Sequence, residues 1–138
     1  MTPLQKSLVR QTFTAVVPIA DQAAAMFYGR LFELNPSLRP LFKVDMGDQG
    51  KKLMQMIGFC IGKLDALDEL VPIVKSLGAR HVGYGVVESD YATVGAALLW
   101  TLEQGLGPAF TPEVKDAWAT VYGVLSGTML SGAQTATA

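Results

Sequence analysis

The side chain with the widest chemical reach in this chain is His81, because the sequence holds one histidine and one cysteine, Cys60. Any chemistry that needs an imidazole runs through that residue. One His and one Cys cannot assemble a zinc site of the usual Cys/His kind, and a lone cysteine closes no internal disulfide. His81 follows Leu77 by four residues, so on a helix the two share a face. Three roles are open to it: a cation answering the dipole at a helix C-terminus, a hydrogen-bonded core residue, or a metal ligand. Spacing alone does not choose among them. Tyr28, preceded by Phe27, and Tyr91 also fall on apolar helical faces, and a buried phenol needs a hydrogen-bond partner. Gln49 precedes Leu53 by one turn on the same face. Each has an ordinary explanation as well: a phenol that reaches solvent or a carbonyl, an amide in water. Phe42, in the pair Leu41-Phe42, reads as a core anchor, and Cys60 as a small buried hydrophobe.

Other functional constellations are absent from the sequence. No paired-carboxylate pattern stands out, and there is no GxGxxG or P-loop. Gly83-Tyr84-Gly85 is too short to cradle phosphates, and Lys51-Lys52 is a pair rather than a patch. Eleven basic against twelve acidic residues, a formal charge of −1, argue against a dedicated nucleic-acid binder. The N-terminal stretch has no apolar signal region. The longest apolar run, around 92–102, is stopped by Glu103 and is too short to span a bilayer. A cytoplasmic protein without nucleic-acid or membrane partners is expected.

The elements that must position these residues are helices. With 138 residues, half of them hydrophobic and only 17% charged, the chain suits one domain with a large apolar core. Thr2-Pro3, with Gln5 behind, predicts a capping box and a first helix that Pro18 interrupts. A second helix is expected over about 21–35, ended by Pro36. A short turn over 37–42 and a loop over 44–47 follow. A third helix begins near Asp48 and carries Leu53, Met56, Ile57, Cys60, Ile61 and Leu64. A fourth covers 67–80, with Arg80 and His81 at its end and Gly83 and Gly85 beyond. A fifth covers 89–105, and Thr111-Pro112-Glu113 opens a sixth. Strand-like stretches at 71–74 and 82–87 lack an alternating partner. Six helices and no sheet make an all-α fold.

Taken in order, these residues resemble a globin. More narrowly, the chain is similar to the bacterial single-domain globins, which are themselves close to the haem domain of flavohaemoglobins and to neuroglobin-like proteins. The resemblance runs from about Leu4 to Met129. Phe27-Tyr28, Leu31-Phe32, Asn35-Pro36 and Leu41-Phe42 look like the family's second helix and the corner after it. Gln49 with Lys52-Leu53-Met54 looks like the distal helix. Leu77-Gly78, Arg80-His81 and Tyr84-Gly85-Val86 look like the proximal helix and its exit. Tyr91-Ala92-Thr93-Val94-Gly95, Leu98-Leu99, Ala117-Trp118 and Val121-Tyr122-Gly123 look like the last two helices. On this reading residues 1–131 form a single globin domain, a helical sandwich around a haem pocket, and 132–138 form a flexible tail.

The resemblance implies a haem b cofactor with His81 as the iron ligand, through a neutral imidazole whose other N–H is held by the Leu77 carbonyl. It implies that Phe42 packs on the porphyrin, that Leu53, Leu77, Val86 and Val94 wall the pocket, and that Lys52 and Arg80 meet the propionates. Tyr28 and Gln49 match a distal pair that hydrogen-bonds bound dioxygen and slows its escape. With no second histidine, a bis-histidyl iron is ruled out. In flavohaemoglobins the proximal His sits with a Tyr and a Glu; Tyr91 matches the Tyr, but the Glu position is Ala133 here. The implied function is reversible dioxygen binding or transport, with nitric oxide and carbon monoxide as further ligands. It extends to nitric-oxide detoxification to nitrate with electrons from a separate reductase. The alternatives are a gas sensor or ligand-binding haem module without turnover, and a cofactor-free helical interaction module.

Overall fold

Prolines and short polar caps divide the chain into its helices. A computed structural model describes residues 2–42, 45–83 and 85–137. Val44, at the head of the expected loop, Tyr84, in the expected exit of the fourth helix, and Ala138, at the end of the expected tail, lie outside them. The α-helices are α1 (Pro3–Val16), α2 (Ala20–Leu34), α3 (Met46–Gly62), α4 (Leu67–Gly83), α5 (Glu88–Leu106) and α6 (Pro112–Thr137). Short 3₁₀ segments follow α1, α2 and α5, at Val17–Ile19, Pro36–Leu41 and Gly107–Ala109. Among the described residues there is no strand.

Thr2 and Gln5 form the expected capping box, with the Thr2 hydroxyl accepting from the Gln5 N–H and the Gln5 side chain accepting from the Thr2 N–H. Thr111 caps α6 by accepting from the Val114 N–H at 3.2 Å. Three boundaries differ from the sequence reading by more than one residue. Asp45 accepts from the Asp48 N–H at 3.0 Å, so α3 starts at Met46 and takes in Gly47, which periodicity leaves in a loop. α4 continues past Arg80 to Gly83, placing His81 inside its last turn. α6 continues through 132–137, where small polar residues suggest a tail; Gly132 is buried against the Lys75 carbonyl of α4, and that contact extends the helix.

The principal core gathers α1, α3, α5 and α6 through Val9, Val16, Ile61, Leu64, Leu102, Ala117, Trp118 and Val121. The Trp118 indole N–H donates to the buried Thr12 hydroxyl at 2.8 Å, and that hydroxyl donates to the Leu8 carbonyl at 2.7 Å, so the polar edge of the ring is satisfied. A second cluster joins α2, the turn after it and α5 through Phe27, Tyr28, Leu31, Leu38 and Ala97. A third, of Cys60, Leu70 and Val74 with Leu125 and Met129 packed on it, ties α3, α4 and α6. α4 packs chiefly on α6, and α2 on α5 and α3, while α3 meets α4 at the Cys60 cluster.

Candidate functional site

The second cluster brings together Tyr28, Phe42, Leu53 and Val94 among the side chains singled out in the sequence. Tyr28 and Phe32 lie one turn apart on α2, and Phe42 reaches them from the end of the following turn. Their rings stack or meet edge-on, with Tyr28 to Phe42 centroids 5.3 Å apart and Phe32 to Phe42 5.6 Å. Phe27 meets Tyr28 edge-on at 5.0 Å. The Arg39 guanidinium lies over the Phe32 ring and donates to the Phe42 carbonyl at 3.0 Å, which fixes the turn carrying Phe42. Leu53 from α3 and Val94 from α5 pack against the same cluster and are half-buried. Phe32, Leu41, Met46 and Leu98 share this surface and were not singled out as site residues from the sequence. Phe32 was legible there as the residue one turn past Tyr28.

Gln49, in the first turn of α3, donates through Nε2 to the Tyr28 hydroxyl at 3.3 Å. Residues 21 apart in sequence thus meet at one polar point on an apolar surface. Burial pushes the Tyr28 phenol above its ordinary pKa, and the Gln49 contact opposes this in smaller measure. The phenol is therefore protonated at neutral pH. Because it accepts from Gln49, its own O–H remains a donor.

His81 stands in the last turn of α4. Its Nδ1 lies 2.7 Å from the Leu77 carbonyl, the acceptor expected one turn back. A carbonyl accepts only, so Nδ1 carries the proton and Nε2 is the accepting nitrogen of the ring. Burial lowers the His81 pKa, the Leu77 contact opposes that, and the Arg80 charge adds to it. The imidazole is neutral. The end of α4 is fixed by main chain: Val86 N–H donates to the His81 carbonyl and Gly85 N–H to the Val82 carbonyl, each at 3.1 Å. This is a Schellman arrangement, and Gly85 takes the φ of 91° that it requires. Leu77 and Val86 are half-buried; Lys52 and Arg80 are exposed.

Tyr91 is buried on α5, and its pKa is raised by burial and by the Asp90 charge. Its carbonyl accepts from the Tyr122 hydroxyl of α6 at 2.6 Å, a brace between the last two helices that sequence reasoning did not foresee. No periodicity signals such a long-range bond. Ala133 sits half-buried on α6. Cys60 is buried as expected, and burial raises its pKa, so its thiol stays protonated. Among the described residues no group of three or more His, Cys, Asp or Glu is gathered to hold a metal by protein ligands alone, and no helix is long and apolar enough to cross a membrane.

Six helices carrying one neutral imidazole and an aromatic-rich, half-buried apolar surface are the makings of a cofactor-binding helical protein. The family model described as Globin matches residues 25–129. The chain is 30% identical to a neuroglobin of Danio rerio, with 92% of this chain and 89% of that protein aligned. It is 33% identical to a flavohemoprotein of Bordetella parapertussis over 91% of this chain, but spans only 32% of that longer protein. A bacterial globin from Campylobacter jejuni, solved at 1.35 Å, has the same fold, with a TM-score of 0.84 over 97% of both chains at 24% identity. The chain belongs to the globin family, whose members bind gaseous ligands at haem.

Proposed function

We propose that this chain binds dioxygen reversibly at a haem iron held by His81, with Tyr28 and Gln49 as the pair that meets the ligand. The observation that carries this reading is the Gln49 to Tyr28 hydrogen bond, which sets a protonated phenol into an apolar aromatic surface. Haem b, when bound, supplies the iron at which a diatomic gas is taken up.

The residues present fit that group. His81 is neutral, and its Nδ1 is already engaged by Leu77, so Nε2 is the nitrogen offered to a metal. Phe42, Leu53 and Val94 are apolar and only half-buried, as are Leu77 and Val86, so a flat apolar ring has surface left to cover. Phe42 would pack on such a ring, and the exposed cations Lys52 and Arg80 would answer its carboxylates. Tyr91 would stand on the His81 side of the group, as its match to the family's proximal tyrosine implies.

The chain's own work is then threefold. Leu77 holds the imidazole ring in one tautomer and orientation. The apolar wall excludes water. Tyr28 and Gln49 place two N–H or O–H dipoles where a ligand gathers partial negative charge, and such dipoles are worth more in a dry site than in water. The same site supports turnover: nitric oxide, dioxygen and one electron combine to nitrate, the electron coming from a reductase protein.

The visible spectrum of the reduced protein, with and without carbon monoxide, tests the reading. A spectrum of five-coordinate histidine-ligated haem that shifts on adding the gas is expected. A six-coordinate spectrum without added gas, or no haem uptake, overturns it. Rapid mixing of the dioxygen-equilibrated protein with nitric oxide, in the presence of a reductase, then reads turnover against simple binding.

A further inference from the structure

Where α4 crosses α6, the two helices touch through main chain. A methyl group at Gly78 would stand 2.0 Å from the Met129 carbonyl oxygen, and one at Gly132 would stand 2.0 Å from the Lys75 carbonyl oxygen. Carbon and oxygen in contact ordinarily keep about 3.3 Å or more apart. The two contacts are reciprocal. Gly78 lies three residues after Lys75, and Gly132 three after Met129, so each helix offers one glycine and one carbonyl to the other. Both glycines are buried. Elsewhere on α6 the chain also has glycines, but at Gly123 and Gly127 a methyl group would meet nothing within 4 Å. The requirement for glycine is therefore local to the crossing.

The crossing lies against the candidate ligand. Gly78 directly follows Leu77, whose carbonyl holds His81 Nδ1, and His81 itself is three residues on, in the next turn of the same helix. The Leu77 bond sets the ring's orientation, and the Schellman turn at Gly85 sets where the helix stops. Neither sets how deep α4 sits on the body of the protein.

We infer that Gly78 and Gly132 are positioning residues for His81: by admitting main-chain contact between α4 and α6, they fix the depth of the imidazole and hence the length and tilt of its bond to iron. The inference rests on the reading of His81 as the iron ligand. A methyl group at either glycine must lift α4 off α6 by about 1 Å or more at that point, because the facing atoms are backbone and cannot rotate away. His81 moves with the helix. Once one methyl has lifted the helix, the second finds the space already open.

The experiment is resonance Raman spectroscopy of the ferrous haem-loaded protein, reading the iron–histidine stretching band, together with the midpoint potential. Gly78→Ala and Gly132→Ala are each expected to displace both. The double variant is expected to displace them by less than the sum of the singles, and Gly123→Ala to leave them at the parent's values. Parent values in both single variants overturn the inference, as does a shift of equal size in Gly123→Ala. A parent protein without an iron–histidine band overturns instead the assignment of His81. Should neither glycine variant fold, the parent is compared with His81→Gly supplied with free imidazole, which binds without the tether of α4. A displaced band in the parent supports the inference, and an identical one overturns it.

Discussion

The two sides of the site are built by different means. On the α2–α3 side, Tyr28, Phe32, Phe42, Gln49 and Leu53 are brought together by side chains: ring against ring, and one amide on one hydroxyl. On the α4–α6 side, His81 is held by a carbonyl, a main-chain cap and a crossing in which glycines meet carbonyls. A surface made of side chains is retuned by single substitutions that leave the helices in place. A contact made of backbone has no rotamers to adjust, so it either holds its geometry or shifts as a whole. On the proposed function, the ligand-facing chemistry lies on the adjustable side and the metal-facing geometry on the stiff one.

The largest test of that contrast is His81→Ala. It is expected to abolish the histidine–iron spectrum and to weaken haem retention by roughly 100-fold, about 2.8 kcal/mol. An unchanged spectrum would mean that the α4 side does not hold the iron. Next comes a pair of truncations read by denaturant melts. Leu31, 2% exposed in the middle of the aromatic cluster, is expected to cost about 2–5 kcal/mol as Leu31→Ala. Met129 gives the crossing its carbonyl, which any residue supplies, and its side chain is only half-buried. Met129→Ala should therefore cost clearly less than Leu31→Ala. Equal losses would remove the distinction between side-chain and main-chain construction. The smallest effects are expected from Tyr28→Phe and Gln49→Leu. Each deletes one donor of about 1.5 kcal/mol to a partly charged ligand and should speed dioxygen release about tenfold, with little change in stability. Stopped-flow release rates check this, and parent rates in both variants would take the adjustable role away from the pair.

Much of the helical layout was legible because apolar spacing, prolines and caps are local signals. Thr2 with Gln5, Pro18, Asn35-Pro36 and Thr111-Pro112 all act in the structure where the sequence places them. The start of α3 was misplaced because Gly47 reads as a breaker, whereas the Asp45 cap carries the helix through it. The stretch after Ser131 read as tail because its residues are small and polar. The missing side chain of Gly132 is what lets it approach α4, a fact visible only when α4 is beside it. The candidate site was legible through the resemblance rather than the pattern. Tyr28, Gln49 and His81 each have ordinary local explanations, and periodicity places them on faces without saying which faces meet.

By itself the sequence determined the class of fold, the boundaries set by proline and caps, and the economy of one imidazole, through which any histidine chemistry must run. These follow from composition and from interactions within a few residues. Only the tertiary structure decided that the Gln49 amide reaches the Tyr28 hydroxyl, that Tyr122 braces the Tyr91 carbonyl, and that Gly78 and Gly132 face each other's helix. The partners in those contacts lie from 21 to 57 residues apart. A glycine inside a helix carries no local sign of what it makes room for. Its meaning is the neighbour that occupies the space where a side chain would have been.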